Sequence, residues 1–364
     1  MFLIKFLHAA DLHLDSPFHG LAPGQAQQRR QEQRKLLSDL AELSYEQNCD
    51  LVFLAGDLFD SDNAYPETVD ALCRALSACR AQAFIAPGNH DCLYAGSPYL
   101  TADWPENVHI FKESKISSVT LPGLGCQIYG AGFTSMDTPS LLEHFRVEDS
   151  QMLNVMVLHG DPETASSVYN PITKEQISES GLDYLALGHI HLRAEPRTLG
   201  KTVYAWPGCP MGRGFDELGQ KGVYLGELDE KGCRLSFCPL PSRRYEILDI
   251  AAGDDPLAAI EAALPPDTER DIYRIRLTGE SDPIDVRALQ EALSGKFYSL
   301  HIRDLTEAKT DLWQDAGEDS LKGQFLARLQ ARLDAADDTE KEILILAAKL
   351  GLSAMEGREE DIPV

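Results

Sequence analysis

The sequence predicts a layered α/β domain, followed by a smaller α/β domain and two C-terminal helices. Over about the first ninety residues, apolar runs and helix-periodic segments alternate as β-α-β-α-β, a pattern typical of a mainly parallel sheet with helices on its faces. The same alternation returns between Tyr245 and Leu305. Several apolar runs end in polar clusters, and ligand sites of open α/β sheets lie at such strand ends.

The elements of the first domain follow from the spacing of apolar residues. Continuous apolar runs predict buried strands at 2–10, 51–55 and 83–86. A basic, glutamine-rich stretch at 25–35 leads into a helix that ends near residue 47, and helical spacing defines a second helix at 67–80. Shorter runs between turn residues predict antiparallel strands within 108–128, another strand that ends at 130–134, and further strands at 153–158, 182–187, 201–206, 222–228 and 234–239.

Arg243-Arg244 separates the first domain from the remainder of the chain. We predict domains at 1–242, 243–310 and 311–364, in keeping with a length of 364 residues that exceeds one usual core. The second domain is predicted as β-α-β-α-β, with elements at 245–250, 256–263, 271–277, 285–293 and 297–304. After a polar linker at 311–317, two amphipathic helices carry apolar stripes at Leu326, Leu329 and Leu333 and at Ile343, Leu346 and Leu350. Such a pair is either ordinary core or a partner-docking element.

Composition limits the classes of protein to which this chain can belong. Its apolar content of 43% and charged content of 25% are ordinary for a globular protein, and its longest apolar runs are too short to span a membrane. The N-terminus is typical of a first strand and not of a signal peptide. Because the eight cysteines form no Cys-x-x-Cys pair, we expect reduced thiols in a cytoplasmic protein and no zinc ribbon.

The net charge of −25 argues against binding DNA through a broad basic face. It does not exclude a nucleic-acid enzyme, because metal ions make a cleft locally positive.

Five polar clusters follow apolar runs and carry the chemistry of the first domain. They are Asp11-Leu12-His13, Gly56-Asp57, Gly88-Asn89-His90-Asp91, His159-Gly160 and Gly188-His189-Ile190-His191. One Asp-x-His alone is most simply a surface pair, whereas five clusters at strand ends indicate a metal site. If strand geometry persists, residues i and i+2 in Asp11-x-His13 and His189-x-His191 point the same way.

Our hypothesis is a pair of metal ions that share Asp57. The first ion is held by Asp11, His13, Asp57 and His191, and the second by Asp57, Asn89, His159 and His189. Mixed nitrogen and oxygen ligands suit Mn²⁺, Fe²⁺ or Zn²⁺ better than Ca²⁺, and Mg²⁺ is a further option. Two ions roughly 3.5–4 Å apart can deprotonate a bridging water and stabilise an in-line phosphoryl displacement.

His90 is left without a metal role in this scheme. It is a candidate to protonate the leaving oxygen or to stabilise the charged transition state, and otherwise it supports Asp57 or Asp91. Asp15 and Asp60 either orient ligand imidazoles or belong to turns and caps. Arg213 contacts a phosphate or pairs with Asp216 or Glu217.

The basic residues Arg29, Arg30, Arg34 and Lys35 either clamp phosphates or form a solvated helix face. The other histidines, including His8 and His144, lack a partner pattern and are expected to pack or to lie on the surface.

In chain order, the segments DLH, GDLFD, GNHD, HG and GHIH resemble the calcineurin-like metallophosphoesterase superfamily. The resemblance implies a two-sheet sandwich flanked by helices, and the metal roles given above agree with it position by position. Within the superfamily, the chain is similar to the SbcD and YhaO-like DNA repair exonucleases. The segments that look YhaO-like are ADLHLDSPF at 10–18, PGCPMGRG at 207–214 and ELGQKG at 217–222.

Two positions depart from the relatives. Asp60 stands where double-strand-break nucleases of this kind carry a histidine, and Gly214 stands where YhaO-like relatives often carry one. These differences leave the metal ligands intact and concern the residues that face DNA.

The resemblance implies a metal-dependent phosphodiesterase, most simply a DNA repair exonuclease or endonuclease in which metal-bound hydroxide attacks phosphorus. It also implies a capping domain, a homodimer and an SbcC-like ATPase partner bound through the C-terminal helices. One rival is a phosphodiesterase or phosphatase for small molecules such as cyclic nucleotides, which the net charge of −25 favours. A second rival is a metal-retaining scaffold without activity, which a complete ligand set argues against.

Overall fold

The computed structural model describes residues 3–61, 64–149, 151–309, 312–333 and 335–356. These residues divide into two compact units. The first takes the described residues within Met1–Leu248, Pro265–Ile275 and Leu293–His301, and the second takes the others. This division passes through the predicted middle domain, and residue 311 lies outside the described residues. The boundaries at 242 and 310 therefore stay predictions.

Seventeen strands are present among the described residues. In chain order they are β1 (Ile4–Ala9), β2 (Leu51–Leu54), β3 (Gln82–Ile85), β4 (Val108–Ile110), β5 (Ser117–Leu121), β6 (Cys126–Gly130), β7 (Leu153–His159), β8 (Tyr184–Gly188), β9 (Arg197–Leu199), β10 (Thr202–Ala205), β11 (Gly222–Asp229), β12 (Gly232–Pro239), β13 (Tyr245–Ala251), β14 (Ile272–Thr278), β15 (Glu280–Ser281), β16 (Ser299–Asp304) and β17 (Glu307–Ala308).

Eight α-helices accompany them in the described ranges. They are α1 (Pro23–Glu46), α2 (Pro66–Ala78), α3 (Pro98–Thr101), α4 (Lys174–Ser180), α5 (Pro256–Ala263), α6 (Val286–Ala292), α7 (Leu321–Leu333) and α8 (Asp338–Glu356). The described helices include none long and apolar enough to cross a membrane.

The first unit contains two six-stranded sheets, with strand orders β12-β11-β1-β2-β3-β4 and β5-β6-β7-β8-β10-β9. Strands β1 to β4 run parallel, whereas β11 pairs antiparallel with β1. The antiparallel prediction for 108–128 holds for β5 and β6 and is wrong for β4, which is parallel to β3. In the second sheet β6, β7, β8 and β10 are parallel. In both sheets the carboxyl ends of the parallel strands therefore share one edge.

Side-chain alternation along the strands builds two layers of core. In β1, Phe6 points into the space between the sheets, where its ring lies 4.8 Å from the ring of Tyr184 on β8. Leu7 points to the opposite face and packs in the cluster that contains Leu37 of α1 and Leu72 of α2. The fold is thus the predicted two-sheet sandwich flanked by helices.

The predicted β-α-β-α-β order of the following segment is confirmed by β13, α5, β14, α6 and β16. Beyond it, α7 and α8 pack through Leu326 of α7 and through Ala348 and Leu352 of α8. The predicted stripe on α8 is wrong, because Ile343 is 61% exposed and Leu346 is 48% exposed. The buried face is instead Leu344, Ala348 and Leu352, which share a spacing of four residues.

Candidate metal centre

Several residues of the polar clusters have positive φ angles at the ends of their strands, a backbone conformation that favours glycine. Asp11, His13, Asp57 and His189 have φ angles of 54°, 43°, 51° and 100°. The Asp11 and His13 amides donate to the carbonyls of Gly56 and Asp57 at 3.0 and 2.9 Å, which ties the ends of β1 and β2 together. Such conformations cost of order 1–3 kcal/mol each and concentrate at functional sites. The expected persistence of strand geometry at Asp11-x-His13 is therefore wrong, although both side chains reach the same place.

Two motif glycines are required by close approach. An added Cβ at Gly88 would collide with the carboxylate of Asp57, and one at Gly56, where φ is 86°, would collide with the ring of His159. The backbone of each loop is thus packed directly against a candidate ligand. This close packing fixes the positions of Asp57 and His159.

The first cluster contains Asp11, His13, Asp57 and His191, whose candidate ligand atoms all lie within 4.8 Å of one another. The Nε2 atoms of His13 and His191 are 3.1 Å apart. The distance from His13 Nε2 to Asp57 Oδ2 is 3.7 Å. Asp11 Oδ1 accepts from the His189 amide at 2.9 Å, whereas its buried Oδ2 has no hydrogen-bond partner among the described residues.

The hydrogen bonds around the first cluster leave the lone pair of each Nε2 atom available to a cation. The Nδ1 atom of His13 lies 3.1 Å from Asp60 Oδ1, and that of His191 lies 2.7 Å from Glu217 Oε1. Nδ1 of His191 also lies 3.0 Å from Nη2 of Arg213, which can only donate. Because the contact with Glu217 is shorter, at 2.7 Å, and an ionised carboxylate can only accept, we assign the proton to Nδ1 in both rings, and Nε2 of a neutral ring then presents a lone pair. Two lone pairs and an unpartnered carboxylate oxygen that converge in a buried space fit a cation.

The second cluster contains Asp57, Asn89, His159 and His189. Asn89 Oδ1 lies 2.9 Å from His159 Nε2 and 3.2 Å from His189 Nδ1. His159 Nε2 is also 3.4 Å from Asp57 Oδ2, and its Nδ1 lies 2.9 Å from the Ala55 carbonyl oxygen. Because a carbonyl only accepts, Nδ1 carries the proton and Nε2 of the neutral ring faces the Asn89 oxygen with a lone pair. A second cation fits between these atoms.

Oδ2 of Asp57 lies near the histidines of both clusters, so the geometry suits two divalent ions bridged by this carboxylate. The structure thus brings together the seven predicted ligands, with His191 in one cluster and His189 in the other. Imidazole and oxygen ligands in these numbers are typical of sites for first-row transition metals.

Charge and burial shift the pKa values of these groups. For Asp11, burial raises the carboxyl pKa and outweighs the lowering by His159 and His191. For Asp57, burial opposes ionisation, but the surrounding imidazoles of His159, His13 and His90 lower its pKa. Burial lowers the pKa of His189 to about 4, which keeps this ring neutral and able to bind a metal at neutral pH.

His90 lies at the open side of the first cluster. Its ring centroid is 4.8 Å from that of His13, and its side chain is exposed. The His90 amide, and not its ring, donates to Asp57 Oδ1 at 2.9 Å. The imidazole therefore stands beside the metal centre and is accessible to a substrate.

Asp91 braces the loop that carries Asn89 and His90. Its carboxylate accepts from the amides of Gly88 and Leu58 at 2.7 Å each, and from the Tyr99 hydroxyl. It thus joins the loops after β2 and β3.

Asp15 takes the cap role, which was one of the two alternatives considered for it. It accepts from the Tyr65 amide and the Thr68 hydroxyl at 2.9 and 2.7 Å, and so caps the start of α2. No hydrogen bond recorded among the described residues joins Asp15 to a ligand imidazole.

Arg213 lies between two carboxylates that orient ligand histidines. Its Nη1 donates to Asp60 Oδ1 at 2.8 Å and its Nη2 donates to Glu217 Oε1 at 2.6 Å. Burial opposes ionisation of Asp60, but the hydrogen bond to His13 and the charge of Arg213 lower its pKa to about 2. Glu217, which is 2% exposed, was not predicted to serve the metal centre. The only sequence signal for it was the i, i+4 spacing from Arg213.

The basic stretch at 25–35 is not an array of free cations. Arg29 is fully buried, and its guanidinium donates to Glu32 Oε2 at 2.6 Å and to the Gly212 carbonyl at 2.8 Å. Lys35 forms an ion pair with Asp39. Arg29 therefore anchors the loop that carries Arg213, and the phosphate-clamp alternative does not apply to it.

Comparison with known proteins defines the class of the chain. Residues 4–193 match the family described as calcineurin-like phosphoesterase, and the chain belongs to that family. The family prediction is thus confirmed, and the chain is a metallophosphoesterase that hydrolyses phosphoesters with divalent metal ions.

Among particular proteins, the chain is similar to the metallophosphoesterase YhaO of Bacillus subtilis strain 168. The two are 30% identical over 297 residues, which cover 78% of this chain and 71% of that protein.

Among solved structures, a dimetal phosphatase from Danio rerio aligns with a TM-score of 0.44 and 12% identity, over 65% of this chain and 96% of its own. The protein TT1561 of Thermus thermophilus aligns with a TM-score of 0.40 and 12% identity, over 65% and 99%.

Proposed function

We propose that this protein is a two-metal phosphodiesterase that hydrolyses DNA, as a repair exonuclease or endonuclease. The proposal rests on one observation: two clusters of candidate metal ligands share Asp57 and lie beside the exposed His90. When bound, two divalent ions supply an activated water and neutralise charge on the phosphoryl oxygens.

The candidate ligands have different parts in holding the two ions. Asp57 spans both positions, while the Nδ1 protons of His13, His191 and His159 are held by acceptors that keep each Nε2 directed inwards. These second partners fix the direction of each ligand, so few side chains need to reorganise when a phosphodiester binds.

His90 is the group that acts on the substrate. Its imidazole is exposed beside His13 and has no ligand role, so it can donate a proton to the leaving oxygen or a hydrogen bond to a phosphoryl oxygen. His90→Ala should lower the rate of cleavage by roughly 10²–10⁴-fold. The same variant should bind the same number of metal ions, because His90 touches Asp57 only through its amide.

DNA is proposed as the substrate on the resemblance to SbcD and YhaO-like nucleases and on the similarity to YhaO. The net charge of −25 opposes a long phosphate track. We therefore propose that binding is concentrated at the cleft, where two divalent ions offset the local carboxylates. Cleavage near strand ends requires fewer backbone contacts than binding along a duplex.

The test is cleavage of end-labelled single- and double-stranded oligonucleotides with Mn²⁺, with and without EDTA. His90→Ala is compared with His144→Ala, which removes an exposed histidine and should behave as wild type. Laddered products that need both metal and His90 would support the proposal and show the direction in which the strand is digested. Cleavage that persists in EDTA, or in the His90→Ala protein at the wild-type rate, would refute the assigned roles.

The second candidate is a phosphodiesterase for small molecules such as cyclic nucleotides, and the net charge of −25 favours it. A protein that hydrolyses a nitrophenyl phosphodiester with Mn²⁺ but leaves every form of DNA intact would establish this alternative.

We further propose Mn²⁺ as the working metal, a cytoplasmic location, a homodimer and an SbcC-like ATPase partner. The support for Mn²⁺ is the mixed nitrogen and oxygen ligand set. The support for the partner is the resemblance and the exposed Ile343 and Leu346 on α8. Co-purification with an SbcC-like ATPase, lost when both residues are changed to Ser, would test the partner.

A further inference from the structure

Arg213 connects the two carboxylates that stand behind the first candidate metal position. Its Nη1 donates to Asp60, whose Oδ1 lies 3.1 Å from Nδ1 of His13. Its Nη2 donates to Glu217, whose Oε1 lies 2.7 Å from Nδ1 of His191, and the same Nη2 lies 3.0 Å from that Nδ1 directly. One guanidinium thus joins two separate chains of hydrogen bonds, and each chain ends on a histidine of the same cluster.

The position of Arg213 is itself fixed by buried contacts. The Arg213 amide donates to Glu217 Oε2 at 2.7 Å, and the preceding Gly212 carbonyl accepts from buried Arg29 at 2.8 Å. Only 19% of the Arg213 side chain is exposed. A planar guanidinium whose five donors have fixed directions can hold two carboxylates at a set separation, which a lysine cannot do.

The second cluster has no equivalent dependence on Arg213. Nδ1 of His159 is held by the main-chain carbonyl of Ala55, and the nearest recorded carboxylate to His189 Nε2 is Asp161 at 4.0 Å. Changes at Arg213 should therefore reach the first position and leave the second unchanged.

We propose that Arg213 is a positioning residue that orients His13 through Asp60 and orients His191 through Glu217 and through its own contact with Nδ1, and so controls metal affinity at the first position only. The proposal rests on the two-metal centre of the proposed function, but not on the identity of the substrate. Removal of partners behind metal-bound histidines typically weakens metal binding by about 10–100-fold.

The experiment is a calorimetric titration of the metal-free, full-length protein with Mn²⁺. Wild type should bind two ions. Arg213→Met should bind one ion with wild-type affinity and the other about 10–100-fold more weakly. Arg234→Met, which removes an exposed arginine paired with Glu227 and Asp229, is the matched control and should titrate as wild type.

Two further variants assign the weakened position. In a His13→Ala background the first position is already lost, so adding Arg213→Met should change nothing further. In a His159→Ala background, adding Arg213→Met should weaken the remaining ion by the same 10–100-fold. Excess Mn²⁺ should restore hydrolysis of a phosphodiester by Arg213→Met but not by His13→Ala, a rescue that general damage to the fold would not show.

Glu217→Gln provides the second test if Arg213→Met does not fold. It conserves the size of the side chain but removes the charge that pairs with Arg213, and it should weaken the same position. The proposal would be overturned if Arg213→Met weakened the binding of both ions equally or of neither. It would also be overturned if the loss of affinity were confined to the position that His159→Ala removes. If the metal titrations give the expected result but the protein does not cleave DNA, only the proposal that DNA is the substrate would be refuted.

Discussion

His8 is a buried histidine outside the metal centre, and it should make the stability of the fold depend on pH. It lies on β1 between the two sheets, where its Nδ1 is 2.7 Å from the Tyr184 hydroxyl and its Nε2 is 3.0 Å from the Leu187 carbonyl oxygen. The carbonyl requires a proton on Nε2, so Nδ1 of the neutral ring accepts from Tyr184. Burial lowers the pKa of His8 to about 3, against a smaller raising effect of the Leu187 carbonyl.

The magnitude follows from the difference between the folded and unfolded states. An unfolded histidine has a pKa of about 6.5, so the unfolded chain takes up a proton at His8 before the folded chain does. The contribution of neutral His8 is therefore fully present above pH 6.5 and is lost as the pH falls towards 3. At roughly 1.4 kcal/mol per pH unit, the loss is about 2 kcal/mol between pH 7 and 5 and about 4 kcal/mol between pH 7 and 3.

The assay is urea unfolding of wild type and His8→Gln at pH 7, 6 and 5, with EDTA present so that metal binding does not contribute. His8→Gln is less stable at pH 7, because it loses packing and hydrogen bonds. Between pH 7 and 5, however, its free energy of unfolding should fall by about 2 kcal/mol less than that of wild type. His144→Gln, at an exposed site, is the control and should follow wild type. Parallel pH profiles for wild type and His8→Gln would refute the assignment of a neutral, buried His8.

Three other perturbations test the metal centre and its supports. Gly88→Ala should displace the Asp57 carboxylate and lower metal content after gel filtration, whereas Gly123→Ala, where an added Cβ meets no atom within 4 Å, should not. Asp91→Asn should lower the free energy of unfolding by roughly 2–4 kcal/mol in urea, because asparagine keeps one acceptor oxygen and its amide nitrogen cannot accept from the other of the Leu58 and Gly88 amides. Mn²⁺ at about 100 times its Kd should raise the unfolding free energy by about 2.7 kcal/mol per site, and EDTA should reverse the gain. Unchanged metal content, stability or Mn²⁺ response would contradict the respective prediction.

Long apolar runs made the fold predictable from the sequence. β1, β2, β3 and β7 are runs of four to seven residues that are buried on both faces, and such runs stand out without any tertiary information. α4 and β9 were missed because each has seven residues or fewer and few apolar positions. Their formation depends on the packing of the second sheet, which the sequence does not display.

The site was predictable because parallel strands deliver their carboxyl ends to one edge. Five clusters after five apolar runs were enough to place the seven candidate ligands together, although the strands that carry them are distant in sequence. The backbone at those ends was not predictable. Asp11, His13 and Asp57 have positive φ values, and nothing in their side chains demands that conformation. It arises because the loops after β1 and β2 share hydrogen bonds.

Glu217 shows why residues behind the ligands are harder to find than the ligands themselves. A ligand follows a strand and is found by its spacing, whereas Glu217 lies on a loop between β10 and β11 and reaches His191 only through the tertiary fold. The low exposure of Glu217 and its ion pair with Arg213 do not by themselves indicate a role at the metal centre. That role becomes clear because the same guanidinium also contacts Asp60, which in turn contacts His13. A buried carboxylate without a cation would be costly, and Arg213 offsets that cost for Glu217 while it also pairs with Asp60. The electrostatic requirement of burying Glu217 therefore supplies a physical reason for Arg213, independent of any contact with DNA.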